Sequence, residues 1–394
     1  MSTISLSKHA PLVYGKYNPE RAMQIRAMHG SGRRARQANT VDRGLQLALE
    51  LEYYLLQAEA SLPKTARGLM NPLAVNNSGI SPAPAETPPQ PKVSVERRLE
   101  YWAVLGALRG LGAVPHAVTR GVCAVLAVLG YWFWPRLRQV GLFNLRLAFP
   151  EWSEGQRRRV LYRLFRNFGR MLADFAHFPR WNRGNIERVI IYEGFENYAR
   201  AHAQGKGVLI LTAHFGNWEL SSFAHGVYGH PLNFIVREMD NPLIDALINS
   251  YRSMSGGRAI EKKDFARGLL RAFERGESVG VLMDQNMLPG EGVFVDFFGR
   301  VACTTTGPAR IARRVGVPIV LGLVIWDDKL RKYRLRFDAV EWIRRGDPEE
   351  EIIANTAHFT RLIEDYVRRY PDQWLWVHRR WKTRPSGEPP LYPF

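Results

Sequence analysis

From Glu187 onward the sequence alternates short β-rich runs with helical ones, and this alternation restricts the possible folds more than any other feature. Val189–Tyr192, Val208–Thr212, Asn233–Val236, Val279–Met283, Phe294–Phe298, Pro318–Ile325 and Tyr333–Phe337 are short, apolar or β-branched runs. Trp218–Tyr228, Pro242–Met254, Asp264–Arg275, Thr305–Val315 and Glu349–Arg369 lie between or after them and have helical spacing. Such a pattern predicts an α/β layered domain, with a mostly parallel central sheet flanked by helices. In such sheets ligands gather beyond the carboxyl ends of the strands. Hydrophobic residues make up 46% of the chain, enough for a sizeable core.

The rest of the chain divides by composition. Residues 1–92 read as an extension: 1–40 are polar and basic, Val41–Leu62 carries a helical apolar pattern, and Asn71–Lys92 is a proline-rich linker. Little packed structure is expected in the first 40 residues, and the extension as a whole is expected to be disordered. The first residues hold no uninterrupted apolar run, so no secretory signal is expected. Residues 93–138 form the most apolar region, 139–385 the α/β domain and 386–394 a tail.

Within the apolar region, Pro115 interrupts any helix, and Gly121–Trp134 is uncharged and ends in Tyr131, Trp132 and Trp134. That run is shorter than the roughly 20 residues a membrane span needs. Its aromatic end and the following Arg136 and Arg138 suit a membrane-anchoring helix lying in the leaflet. A span over Gly110–Trp134 and a buried core helix are the other readings. Ser153–His177 then reads as an amphipathic helix. Val160, Leu161, Leu164, Phe165, Phe168, Met171 and Leu172 form one side, and Arg157, Arg158, Arg159, Arg163, Arg166 and Arg170 form the other.

The formal net charge of +18 calls for a polyanionic partner: nucleic acid, an anionic membrane surface or a phosphorylated substrate. At the C-terminal end Arg379, Arg380, Lys382 and Arg384 interleave with Trp374, Trp376 and Trp381, a composition able to stack nucleobases or to face lipid headgroups, the latter being preferred. Nothing in the sequence matches a nucleic-acid-binding motif. Cys123 and Cys303, the two cysteines, sit among apolar or small residues and read as small buried hydrophobes.

Chemistry is concentrated in Leu211–Leu220, LTAHFGNWEL. A buried strand over Val208–Leu211 would place His214 at its carboxyl end, with Phe215-Gly216-Asn217 turning the chain and Asn217 capping a helix that opens at Trp218. The turn could bring Glu219 to His214, a carboxylate fixing one ring nitrogen and leaving the other as a general base. Gly216 would let backbone N–H groups approach an oxyanion. A His and a Glu at this spacing also occur by chance. The spacing is not that of a zinc-binding His-Glu-x-x-His, so no metal site is expected.

HFGNWE resembles the His-x4-Asp/Glu motif of glycerolipid acyltransferases, and the stretch from Leu99 to Lys382 resembles the lipid A biosynthesis lauroyl/myristoyl acyltransferases. NLRLAFPEWS (Asn144–Ser153), NFIVREMDNPLID (Asn233–Asp245), VGVLMDQN (Val279–Asn286), VFVDFFGRVACTTTGPARIA (Val293–Ala312) and PDQWLWVHRRWKTRP (Pro371–Pro385) resemble further blocks of that family in order. The resemblance implies an acyl thioester donor, on acyl carrier protein or coenzyme A, and a hydroxyl acceptor on an anionic glycolipid, a lipid A precursor. It makes His214 the base and Glu219 its orienting partner, with no metal or other cofactor and no nucleic acid. It implies a place at the cytoplasmic face of the bacterial inner membrane. Arg237 is the first candidate for a phosphate contact, since guanidinium binds phosphate in a fork; pairing with Glu238 or Asp240 is the alternative. Gly216, Asn217, Asn241, Asp284 and Gln285 complete the expected substrate contacts. The extension Met1–Lys92 departs from the family pattern.

Overall fold

The structure, a computed structural model, describes residues 93–261 and 265–394. The helical pattern at Val41–Leu62 and the expected disordered extension fall outside the described residues.

Among the described residues four helices precede the sheet: α1 (Val95–Ala113), α2 (His116–Phe133), α3 (Pro135–Ala148) and α4 (Glu154–Ala176). Pro115 separates α1 from α2, because a ring at that position removes an N–H and clashes with the preceding turn. Ser153 opens α4 through a capping box with Gln156, each side chain satisfying the other residue's backbone N–H. The apolar face of α4 is buried through Leu161, Leu164, Phe165 and Met171. Its basic face divides. Arg158, Arg159, Arg163 and Arg166 are exposed, Arg163 pairing with Asp328 and Asp372, whereas Arg170 is half-buried over the Trp326 ring.

The alternating region then runs β1 (Ile190–Glu193), α5 (Phe195–His202), β2 (Val208–Thr212), α6 (Trp218–Val227), β3 (Leu232–Val236), α7 (Pro242–Ser253), β4 (Ala259–Glu261), α8 (Phe265–Glu274) and β5 (Ser278–Leu282). It continues with β6 (Gly292–Phe297), β7 (Arg300–Thr305), α9 (Gly307–Val315), β8 (Ile319–Asp327), β9 (Lys332–Ala339) and α10 (Pro348–Arg369). Seven strands form one sheet in the order β1-β9-β8-β2-β5-β3-β4. Every pairing in it is parallel except β8 with β9. The central strand β2 is buried along its length from Val208 to Leu211, as a strand covered by helices on both faces must be.

The short elements α5, β4 and β7 are not legible as separate runs in the sequence. The Phe294–Phe298 run, expected to be one more strand of the layered domain, pairs instead with β7 in a separate two-stranded hairpin. Its turn, Phe298-Gly299, holds both residues at positive φ, and the Phe298 N–H donates to the Glu364 carboxylate at 2.7 Å.

The anchor segment is not buried as a core helix would be. Val118, Val125, Leu126, Trp132 and Phe133 of α2 are exposed, with Trp132 61% accessible, while Thr119, Cys123, Gly130 and Tyr131 face inward. Gly169 of α4 lets the two helices pass close to each other: a Cβ there would stand 2.5 Å from the Cys123 carbonyl. The C-terminal tryptophans depart from expectation. Trp374, Trp376 and Trp381 are at most 1% exposed, and Arg380 is fully buried. Those rings fill the core and neither face headgroups nor stack bases. The tail also packs down, Tyr392 donating from its hydroxyl to Asn144 Oδ1 at 2.7 Å.

Candidate active site

Strands β2 and β5 are neighbours with Thr212 opposite Leu282, so the residues just beyond each strand emerge together at the carboxyl edge. Those residues are His214 and Asp284. The His214 backbone N–H donates to Asp284 Oδ2 at 2.9 Å, and His214 Nδ1 lies 2.8 Å from Asp284 Oδ1. Trp374 Nε1 donates to Asp284 Oδ2 at 2.7 Å. Burial by itself would push the Asp284 carboxyl pKa up, but the attraction of the adjacent His214 ring and the hydrogen bonds from His214 and Trp374 outweigh it and hold the group below its usual value. An ionised carboxylate only accepts, so Nδ1 of His214 presents a proton to it, and in the neutral form of the ring Nε2 is the lone-pair nitrogen. The Gln285 amide nitrogen stands 3.2 Å from that Nε2.

The carboxylate on His214 is therefore Asp284 and not Glu219, a correction to the sequence reading. A tight turn follows His214. Phe215 N–H donates to Ala213 O at 2.7 Å, and Gly216 takes φ +62°. Asn217 then caps α6, its Oδ1 accepting from Leu220 N–H at 3.0 Å. The Glu219 carboxylate points to Arg252 of α7 instead and accepts two guanidinium hydrogen bonds from it, from Nε at 2.7 Å and from Nη2.

The C-terminal segment straps this turn down. Gly216 N–H donates to Gln373 O at 2.7 Å and Leu375 N–H to His214 O at 3.1 Å, a short antiparallel bridge. The Gly216 N–H is thus engaged by the strap. A Cβ at Gly216 would stand 1.7 Å from the Val324 carbonyl, so only glycine fits between β8 and the strap. His378 lies behind Gln285; its Nε2 accepts from the Asn286 N–H at 2.9 Å. Burial of the ring, with His214 nearby, pushes the His378 pKa down to about 3, so it stays neutral.

The other expected contacts separate. Arg237 is exposed just past the end of β3, on the carboxyl edge shared by β2 and β5. Asn217 is fully buried, with its amide committed to Leu220 N–H and to Asp174. Asn241 caps α7 and donates to Arg97 O and Glu100 Oε2 of α1, both at 2.9 Å. Arg252 and His378 carry no sequence signal as site residues, and Trp374 reads only as part of the Arg/Trp-rich segment. Trp374, Arg252 and His378 lie 90, 33 and 92 residues from Asp284, Glu219 and Asn286, the partners they meet, so no local spacing points to them.

A histidine held by a buried carboxylate at the carboxyl edge of a parallel sheet is the arrangement of an α/β enzyme. The sequence profile described as bacterial lipid A biosynthesis acyltransferase matches residues 87–383. The lipid A biosynthesis lauroyltransferase of Escherichia coli (strain K12) is 30% identical over 292 residues, 74% of this chain and 94% of that protein. The lipid A biosynthesis palmitoleoyltransferase of the same strain is 28% identical over the same shares, and its myristoyltransferase 22% identical over 74% of this chain and 90% of its own length. The chain belongs to the bacterial lipid A biosynthesis acyltransferases, and it is an O-acyltransferase of lipopolysaccharide biosynthesis.

Proposed function

We propose that the chain moves a fatty acyl group from an acyl thioester, on acyl carrier protein or coenzyme A, to a hydroxyl of a phosphorylated lipid A precursor, with His214 as general base. The observation that carries this reading is the Nδ1 contact of His214 to Asp284 at 2.8 Å, which leaves Nε2 basic at the sheet edge. Nε2 takes the proton of the acceptor hydroxyl as its oxygen attacks the thioester carbonyl carbon. The tetrahedral intermediate then collapses, the C–S bond breaks, and the imidazolium returns the proton to the leaving thiolate. Asp284 orients the ring and offsets its transient charge; base catalysis of this kind contributes about 100-fold to 10,000-fold. The Gln285 amide, which now sits against Nε2, shifts to admit the acceptor. Glu219 acts through Arg252, holding α6 against α7 beside the base.

Arg237, exposed on the same edge, is our candidate for the acceptor phosphate. The exposed apolar face of α2 and the arginines of α4 support binding to an anionic leaflet, at the cytoplasmic face of the inner membrane. An 18-residue helix is about 27 Å long, short of the roughly 30 Å hydrocarbon core, and its other side is tied to α4 by Arg120. Both favour a helix lying in the leaflet over one crossing it. Mass spectrometry of lipid A from cells with and without the protein tests the reading. Loss of one acyl chain is the expected result, and an unchanged lipid A overturns it. The names of the relatives cover lauroyl, palmitoleoyl and myristoyl transfer, so the mass lost also identifies the chain.

A further inference from the structure

Asp174, in the last turn of α4, is a fully buried carboxylate that takes no part in the chemistry above. Three side chains converge on it. His116 Nε2 lies 2.7 Å from Oδ1, and Arg120 donates to the same oxygen from Nη2 at 2.8 Å and from Nε at 3.1 Å. Asn217 Nδ2 donates to Oδ2 at 3.0 Å. His116 and Arg120 come from α2, the helix whose other face is exposed and apolar; Asn217 comes from the turn that follows His214.

Stability alone is a weak explanation for such a cluster. Desolvating a carboxylate and a guanidinium costs several kcal/mol, which their attraction roughly offsets, and well-packed apolar side chains often serve as well or better. What a buried ion can do and an apolar side chain cannot is fix the sense of a polar group. The Asn217 amide has two possible senses. With Oδ1 toward Leu220 N–H it caps α6 and aims Nδ2 at Asp174; reversed, it would set donor against donor and acceptor against acceptor. Asp174 selects the first. The next residue, Trp218, lays its indole edge-on to the His214 ring with centroids 5.2 Å apart, and Glu219 after it grips Arg252. The arginine side is equally tied in: Arg120 lies over the Trp326 ring at 5.0 Å, and Trp326 N–H donates to Gln373 Oε1, on the residue whose carbonyl receives Gly216 N–H.

We propose that Asp174 is a positioning residue of the active site: through Asn217 it fixes the start of α6 beside His214, and through His116 and Arg120 it makes that position depend on the seating of the apolar helix α2. The proposal rests on the reading of His214 as the base. His214→Ala is therefore assayed alongside, because activity surviving in it defeats that reading and not this one.

The test uses the full chain, a radiolabelled acyl thioester and a phosphorylated lipid A precursor, with kcat expressed per folded molecule. Asn217→Asp keeps a good helix cap but turns a second carboxylate toward Asp174, and Asp174→Asn sets amide against amide. Each is expected to lower kcat about tenfold or more, with the acceptor KM within about twofold of wild type. The reciprocal exchange, Asp174→Asn with Asn217→Asp, restores a donor opposite an acceptor and is expected to bring kcat back to within about threefold of wild type. Asn217→Ser, a cap too short to reach Asp174, gives an independent arm that should lose kcat with its melting midpoint within about 4 °C of wild type. Wild-type kcat in Asn217→Asp or Asn217→Ser overturns the proposal. So does a folded exchange variant no more active than its parents. A merely structural Asp174 would lower the folded fraction and leave kcat per folded molecule unchanged.

Discussion

His214 and Asp284 are 70 residues apart in the chain and 2.8 Å apart at Nδ1 and Oδ1. Adjacent parallel strands, β2 and β5, end in register and deliver both side chains to one edge. Asp284 is the better placed of the two carboxylates to set the tautomer of His214. Asp284→Asn should therefore lower kcat by about 100-fold or more in a folded protein, since an amide can hold the wrong tautomer. Glu219→Gln should cost less in kcat. Steady-state rates of the two variants side by side decide which carboxylate serves the base.

The Glu219–Arg252 pair is nearly enclosed, Glu219 at 6% and Arg252 at 19% side-chain exposure. Arg252→Met strands a carboxylate without its cation. It is expected to destabilise the fold by about 3 kcal/mol, the lower end for a broken buried pair because Arg252 retains some solvent contact. Pairing it with Glu219→Gln should recover most of that loss, as read by denaturant unfolding.

Gly216 has no room for a side chain. Gly216→Ala would put a Cβ 1.7 Å from the Val324 carbonyl in a backbone at φ +62°. The left-handed conformation alone costs about 1–2 kcal/mol, and the clash forces the strap off β8. Thermal melting should show a lower midpoint and the assay a loss of activity, because His214 and the bridge to Trp374 share this turn.

Acid should unfold the protein through groups held below their ordinary pKa. His378 is pushed down to about 3 by burial and by His214 beside it, and His225 to about 3 by burial and the neighbouring His230 and His202. Below about pH 6.5 the unfolded chain protonates these rings while the folded chain does not, so stability falls as pH drops from about 6.5 toward 3. Asp284, also depressed, adds its own loss once the pH falls below its unfolded value of about 3.9. Melting midpoints measured from pH 7 to 4 should decline steadily. In His378→Gln, which keeps an acceptor for the Asn286 N–H, the decline should be shallower.

The exposed face of α2 should carry lipid binding. Val125 and Trp132 are 60% and 61% accessible, and Trp132 rests edge-on against Tyr131 with Arg138 beside it. Val125→Glu with Trp132→Glu is expected to abolish co-sedimentation with vesicles containing anionic lipid while leaving the melting midpoint close to wild type.

The sequence by itself determined the layered α/β class, the strand that ends at His214, the Asn217 cap and the break at Pro115, since each follows from local periodicity or from the backbone preference of one residue. It also placed Asp284-Gln285 at the end of a strand, without saying which strand would lie beside it. The choice of partner belonged to the tertiary structure. Only the sheet order sets β5 against β2 and so gives His214 the Asp284 carboxylate, and only the packing of α7 gives Glu219 to Arg252. The C-terminal tryptophans show the same division. Their composition is equally that of a surface band and of a core, and burial was decided by the segment crossing beneath His214 as a strap. Spacing along a chain reports what one helix or strand can align; contacts across 70 to 90 residues are fixed by which elements become neighbours, and that is settled by packing.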